Sequence, residues 1–355
     1  MNRDACLRAF VSRDRRFAGR FYVGVKTTGI YCRPGCPARL PRPSNVHFFP
    51  CAAAAEDAGF RACLRCRPET APGTPAWLGT SAVVSRALKQ IEEGEADGLS
   101  MQALAERFGV GARHLRRLFA EHVGASPAAV SRTRRLHFAR RLLDETSLPM
   151  TQVALGAGFS SIRRFNEAIL ASFGRPPRDL RRLGRGARGN AGALTLKLPY
   201  RAPFEFDSLL SFFAARALPG VESVDGGAYR RTIAFDGGRA AGWIGVAPTP
   251  GDSSLSLTVH LAESKHLLEV AERTSRLFDL AADPREVNAA LRRDPLLSPL
   301  VAARPGLRVP GAWDPFELAV RAVLGQQISV AAARTLAGRL VARYGRPLPT
   351  PGAPG

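Results

Sequence analysis

The sequence predicts a multidomain α+β chain, and three observations predict it. Two close cysteine pairs, Cys32 with Cys36 and Cys63 with Cys66, mark a small module over residues 1–72. A helix, turn and helix pattern occurs twice over residues 81–182, which reads as an all-α domain. From Leu194 the chain changes to short alternating runs typical of an antiparallel sheet (194–280), then to apolar helical segments (281–355). A chain of 355 residues has room for two to four such domains.

In the first module, Cys32-Arg33-Pro34-Gly35-Cys36 is a C-x3-C pair and Cys63-Leu64-Arg65-Cys66 a C-x2-C pair, with 26 residues between them. Four thiols so spaced can close on one tetrahedral ion, and four soft sulfurs select zinc, held at about 2.3 Å. Large apolar groups are few here, Phe10, Phe21, Tyr22, Tyr31 and Phe49 among them. Ligation is therefore expected to supply much of the folding free energy, roughly 10 to 16 kcal/mol in zinc peptides. The ion is either a staple or an activator. Zinc keeps a thiol deprotonated near neutral pH, and Lys26, Arg33, Arg39, Arg61, Arg65 and Arg67 suit a phosphate backbone and further favour thiolate. Spacing does not say which sulfur reacts. Cys6 and Cys51 complete no second pair and read as ordinary small residues. No signal peptide and no apolar run approaching 18 residues occurs, so the expectation is a cytoplasmic, reducing setting with free thiolates and no membrane partner.

The strings FYVGVKTTGIYCRPGCPAR (21–39), NVHFFP (45–50) and AGFRACLRCRP (58–68) closely resemble the N-terminal domain of the bacterial adaptive-response alkylation-repair family Ada. The resemblance implies that Cys32, Cys36, Cys63 and Cys66 ligate one zinc. It further implies that Cys32 is a sacrificial acceptor of a methyl group from a DNA methylphosphotriester. Because the methyl stays on the protein, that reaction is stoichiometric.

Lys plus Arg number 51 against 30 Asp plus Glu, a formal net charge of +21 carried almost wholly by arginine. Arginine's planar fork suits phosphates and guanine edges, although a GC-rich genome also raises arginine content. Residues 67–80 and 182–193, rich in Pro, Gly and small residues, read as linkers. Between them, Val84, Ala87, Leu88 and Ile91 form an apolar helical stripe, and Ser100 is a helix N-cap. In the helix after the turn at 108–111, Leu115, Leu118 and Phe119 point inward, which leaves Arg113, His114, Arg116 and Arg117 for solvent or DNA. A generic αα-hairpin fits that segment too, but the pattern recurs. A bridging helix over 133–145 leads to 150–156, the turn Ala157-Gly158-Phe159 and a second reader with Ser161, Arg163, Arg164 and Asn166 outward. Arg135, His137 and Arg141 on the bridge read as phosphate contacts or solvated groups. Residues 131–190 hold 13 Arg against 4 Asp plus Glu, a net +9 suited to double-stranded DNA. VALGAGFSSIRRFNEAILASFGRPPRDLR (153–181) is similar to the second unit of AraC-type DNA-binding domains. That similarity implies two readers in successive major grooves and a regulator of repair genes with RNA polymerase as a partner.

After Leu194 the runs LTLKLPY, AYRRTIAF, AAGWIGVAP and SLSLTVHL read as strands, with helices at 206–217 and 267–278. LPYRAPFEFDSLLSFFAARALPGVESV and ARPGLRVPGAWDPFELAVRAVLGQQISVAAARTLAGRLVARYG strongly resemble the first part of AlkA-type DNA-3-methyladenine glycosylase II. The resemblance implies a sheet domain followed by an incomplete all-α helix-hairpin-helix glycosylase domain. It also implies excision of flipped alkylated purines with the help of an Asp. The chain stops at PLPTPGAPG, so no glycosylase catalytic Asp is assigned: Asp314 reads as an N-cap before Pro315, and Glu317 belongs to the same helix start. Gln327 stands where that family inserts a side chain into the vacated base stack, or else it lies on ordinary helix surface. A single helix is expected over 316–344, its apolar face short of partners, as in a gene fragment or in a chain complemented by a separate glycosylase fragment. The leading expectation is a sensor that accepts a methyl group and regulates transcription. The alternatives are a glycosylase acting in base excision and a passive zinc-containing transcription factor.

Overall fold

The computed structural model describes residues 2–70, 82–92, 94, 96, 99–183 and 194–348. The chain forms two compact units, Met1–Ala187 with Leu267–Glu272, and Arg188–His266 with Arg273–Gly355. Most of both expected linkers, at 71–80 and 184–193, lies outside the described residues.

The first unit opens with α1 (Arg3–Val11), capped by Asn2. Its Cys6, Ala9 and Phe10 pack on Phe21, Val23 and Val46, so Cys6 is a core residue. Strands β1 (Tyr22–Val25), β2 (Ile30–Cys32), β3 (Val46–Phe49) and β4 (Arg61–Ala62) make a four-stranded sheet in the order β3-β1-β2-β4. β1 runs antiparallel to β2 and β3, whereas β2 and β4 are parallel. Between β3 and β4 lies α2 (Ala52–Asp57), whose first turn is capped by Cys51: its sulfur accepts from the Ala54 amide at 3.4 Å.

The helical part follows the expected apolar periods. α3 (Ala82–Glu92) buries Val84, Ala87, Leu88 and Ile91. Ser100 caps α4 (Met101–Glu106), accepting from the Ala103 amide at 3.1 Å, and α5 (Ala112–His122) buries Leu115 and Phe119 completely. Each such side chain withdrawn from water contributes about 1.5 to 3 kcal/mol. The bridging helix α6 spans Pro127–Glu145, starting well before residue 133 because Ser126 caps it and Pro127 fits its first position. The second pair, α7 (Met150–Gly156) and α8 (Ile162–Phe173), is followed by α9 (Pro177–Leu183). Gly109 and Gly158 take positive φ in the two turns, which is what lets each chain reverse between its helices.

In the second unit β5 (Leu194–Pro199) precedes α10 (Phe206–Arg216), then β6 (Glu222–Asp225), β7 (Ala228–Phe235), β8 (Ala240–Pro248) and β9 (Ser254–Leu261). The sheet order is β5-β9-β8-β7-β6, every pair antiparallel. β6 has no apolar run to announce it; Gly226 and Gly227, both at positive φ, close a two-residue hairpin that recruits it as an edge. Helices α11 (Leu267–Leu277), α12 (Pro284–Leu291), α13 (Leu297–Ala303), α14 (Pro315–Leu324) and α15 (Val330–Tyr344) complete the chain. The expected continuous helix over 316–344 is broken. α14 ends at Gly325, Gln327 sits at φ 60°, and Ser329 caps α15 by accepting from the Ala332 amide at 3.2 Å.

Burial on β7 alternates, and the buried face includes Arg231 among Tyr229, Ile233 and Phe235. Arg231 reaches Glu317 at 2.8 Å and Glu222 at 3.5 Å, while Arg321 meets both acids at 2.5 Å and Tyr229 donates to Glu222 at 2.6 Å. Glu317 therefore fastens α14 to the sheet and Asp314 caps that helix, accepting from the Glu317 amide at 2.8 Å. Truncating Arg231 to Ala leaves Arg321 as the remaining guanidinium for Glu222 and Glu317, and losing the charge-assisted bonds of Arg231 should destabilise this unit by about 2 kcal/mol. Denaturant titration followed by the fluorescence of Trp243 and Trp313 checks it; a loss below about 1 kcal/mol would show that the network is solvated in solution.

Candidate metal centre and nucleic-acid interface

Sheet pairing brings the cysteines together. Cys32 ends β2 opposite Val23, and Cys63 directly follows β4, its amide donating to the Tyr31 carbonyl at 3.0 Å. The parallel β2–β4 pair thus seats the first cysteine of each motif side by side. The second cysteine of each pair returns through a tight turn. Pro34 and Gly35 shape the first, Gly35 at φ +85°, as a type II turn demands of its third residue. In the second, the Arg67 amide donates to the Cys63 carbonyl at 3.0 Å.

All four sulfurs lie within 4.8 Å of one another and all four residues are buried. A tetrahedron with zinc to sulfur bonds of about 2.3 Å has edges of roughly 3.8 Å, so the donor set fits a zinc ion. Thiols this close raise one another's cost of ionising, because each thiolate repels the next. Four such groups cannot ionise together unless a positive charge is shared among them.

Cys32, Cys36 and Cys63 open onto a cavity of about 520 Å³, which Arg39, Arg61 and Arg65 also line. Cys66 is not among the lining residues, so three of the four cysteines contribute to the cavity wall. Phe173, Gly174 and Arg175, at the end of α8, line the same cavity. Among the described residues none of Arg39, Arg61, Arg65 and Arg175 forms an ion pair. Arg33 is half-buried beside Cys32 and does not line the cavity, and Lys26 is exposed elsewhere. Sequence reasoning singled out the first three arginines by their nearness to cysteine. It missed Arg175, which tertiary packing alone delivers.

Other basic residues expected at phosphates turn inward instead. Arg67 pairs with Asp144 of α6 and with Glu69 at 3.3 Å, and Arg140 of α6 joins the same group, 3.0 Å from Asp144. Glu69 lies in a stretch expected to be linker, yet it is buried. Burial lifts the Asp144 carboxyl to about 6 against the pull of Arg140 and Arg67. His137 is neither solvated nor at a phosphate: its Nε2 lies 2.9 Å from the Tyr31 hydroxyl and 3.5 Å from Glu56. Tyr31 donates to Glu56 at 2.9 Å, and Thr133 donates to the same carboxylate at 2.6 Å. Burial alone would raise the Glu56 carboxyl, but the bond and charge of His137, then Thr133 and Tyr31, hold it below its ordinary range. Arg135 is half-buried, one nitrogen 3.4 Å from the Gly158 carbonyl at the surface, and Arg141 lies near Glu145.

On the reading helices Arg113, His114, Arg116 and Arg117 of α5 are exposed, with Arg117 touching His114 at 3.3 Å and Glu121 at 3.5 Å. On α8 Arg163, Arg164 and Asn166 are exposed, and Arg163 pairs with Glu167 at 3.0 Å. Ser161 is the N-cap of α8, its oxygen accepting from the Arg164 amide at 3.3 Å. In the second unit Gln327 is exposed in the bend between α14 and α15. Among the described residues no helix is long and apolar enough to cross a membrane.

A four-sulfur centre beside paired helix-turn-helix units, followed by an antiparallel α+β unit, defines a zinc-binding, DNA-reading protein of several domains. Residues 5–69 match the metal binding domain of Ada, residues 104–183 a helix-turn-helix domain and residues 195–314 the AlkA N-terminal domain. The chain is 45% identical over 349 residues to the probable bifunctional transcriptional activator/DNA repair enzyme AlkA of Mycobacterium tuberculosis, covering 97% of this chain and 70% of that protein. It belongs to this family of bifunctional transcriptional activators and DNA repair enzymes. DNA-3-methyladenine glycosylase 2 of Escherichia coli is 39% identical over 151 residues, covering 42% of this chain and 51% of that one. The bifunctional activator Ada of E. coli is 36% identical over 149 residues, covering 42% of this chain and 40% of its own.

Two outcomes follow from this geometry. Cys66→Ala, which removes a ligand without touching the cavity wall, should lose zinc and unfold residues 2–70; metal analysis with circular dichroism checks it, and full zinc retention would remove Cys66 from the ligand set. Asp144 holds its proton in the folded state up to about pH 6, whereas unfolded Asp ionises near 3.9. The folded form then binds more protons over that window, so the contribution of this group falls as pH rises from about 4 to 6. The stability difference between wild type and Asp144→Asn should shift in that sense, read by denaturation at a series of pH values; a flat difference would contradict it.

Proposed function

We propose that this chain is a sensor of alkylated DNA in which Cys32 takes a methyl group from a backbone methylphosphotriester and the helix-turn-helix units then act on repair genes. The observation that carries the reading is a cavity lined by three buried cysteines of a four-cysteine centre and by arginines that, among the described residues, form no ion pair. A zinc ion held by Cys32, Cys36, Cys63 and Cys66 would supply the charge that keeps their sulfurs as thiolates. The Cys32 sulfur attacks the methyl carbon in line with the ester oxygen; the sulfur–carbon bond forms as the carbon–oxygen bond breaks, and the electron pair leaves on a restored phosphodiester. Cys36 and Cys63 face the same cavity, and the resemblance of the motif to Ada selects Cys32 among them. The methyl is retained, so each molecule reacts once.

One negative charge passes from the sulfur centre to the DNA in this step. Repulsion between protein and backbone falls, and affinity for double-stranded DNA rises. Arg113, His114, Arg116 and Arg117 on α5, with Arg163, Arg164 and Asn166 on α8, are the groups offered to the major groove, and Ser161 sets the start of α8. RNA polymerase is the partner such a regulator brings to a promoter, in the cytoplasm. A second reading, base excision by the other unit, is favoured by its match to the AlkA N-terminal domain; Gln327 in its exposed bend is the side chain offered to a vacated base stack.

Incubating the zinc-loaded chain with duplex DNA bearing one methylphosphotriester should add a single methyl group to the peptide containing Cys32, seen by mass spectrometry, and Cys32→Ala should abolish it. Modification of Cys36 or Cys63 would reassign the nucleophile, and an unmodified protein would end the sensor reading.

A further inference from the structure

Part of the wall of the sulfur cavity belongs to the second helix-turn-helix unit. α8 ends at Phe173, Gly174 follows in the left-handed conformation at φ +69°, and Arg175 comes next; all three line the cavity. The contact is close. The guanidinium of Arg61 packs over Gly174 so tightly that a Cβ at that position would collide with it. A glycine here serves both the left-handed helix end and the approach of an arginine from the other module. Arg61 and Arg175 are exposed and, among the described residues, neither forms an ion pair.

A methylated phosphate is itself neutral, so arginines around it find their counter-charges on the phosphates to either side. Once the methyl has left, the repaired phosphate is charged as well. The four guanidiniums of this cavity thus suit the damaged strand before transfer and bind it more strongly afterwards.

We propose that Arg175 is a lesion-positioning residue: together with Arg61 it clamps the phosphates that flank the methylated one over the sulfur centre, so one strand is held by both the metal module and the second reader. This rests on the methyl-acceptor reading given above and adds to it a residue contributed by the DNA-reading unit. It also gives that unit a part in the repair step, which the two modules would otherwise perform separately.

The test uses the full zinc-loaded chain and duplex DNA with one methylphosphotriester, following methyl arrival at Cys32 in single turnover as DNA concentration and salt are varied. Arg175→Ala should raise the half-saturating DNA concentration about tenfold, as expected for a lost charge-assisted contact, with much less change in the limiting rate. The slope of log affinity against log salt should fall by about one, and Arg175→Lys should recover most of both effects. A merely structural Arg175 would alter zinc content or helical signal and leave the salt slope alone, which would overturn the proposal. So would Arg175→Ala taking the methyl with wild-type half-saturation and slope. If wild type itself takes no methyl from this DNA but its cysteines still react with methyl iodide, the underlying reading fails first and the clamp falls with it.

Discussion

Convergence of four sulfurs at the end of a small sheet is the constraint on which the first unit depends. The strands that deliver them are short, two to four residues each, and the parallel pair β2–β4 has only two register positions. Backbone pairing of that extent is weak on its own. A metal ion drawing Cys32 and Cys63 together from adjacent strands, with Cys36 and Cys66 closing from their turns, turns that weak edge into a fixed frame. The neighbours of the ligands then inherit their positions: Tyr31 precedes Cys32 and Arg67 follows Cys66, and these two residues reach into α6.

That inheritance explains why the metal module and the bridging helix share so many polar contacts. Tyr31, Glu56, His137 and Thr133 form one group, and Arg67, Glu69, Arg140 and Asp144 another, both largely shielded from water. Shielded polar groups are costly unless satisfied, so such a junction admits few geometries. Its effect is orientation. α6 joins the two helix-turn-helix pairs, and a fixed angle between it and the sulfur centre is what lets the end of α8 form a wall of the sulfur cavity.

Arginine does two kinds of work here, divided by environment. Arg67, Arg140 and Arg231 are paired with carboxylates and organise the interior. Arg39, Arg61, Arg65 and Arg175 line open space and, among the described residues, form no ion pair, which keeps a guanidinium's capacity to bind phosphate. The same residue type at the same overall charge therefore carries no functional label until burial is known. Within the second unit the buried cluster of Glu222, Arg231, Glu317 and Arg321 explains how α14 stays on its sheet although Phe316 and Val323 of that helix are largely exposed.

By itself the sequence determined the elements whose signals are local. Cysteine spacing announced a four-sulfur centre, the apolar periods of 84–91 and 115–119 announced helices, and Ser100 and Asp314 announced the starts of α4 and α14, because each cysteine pair, period and cap is a pattern of residues within a turn or two of one another. Tertiary structure alone decided the rest. That His137 and Arg67 face inward, that Glu69 in an apparent linker is buried, and that Arg175 reaches the sulfur cavity all depend on partners tens to more than a hundred residues away; β6 and the bend at Gln327 rest on nearby turn and cap residues instead, whose apolar signal is too weak to announce them. A side chain's role as a buried partner or a free binding group is set by what packs against it, and no local pattern of residue types contains that information.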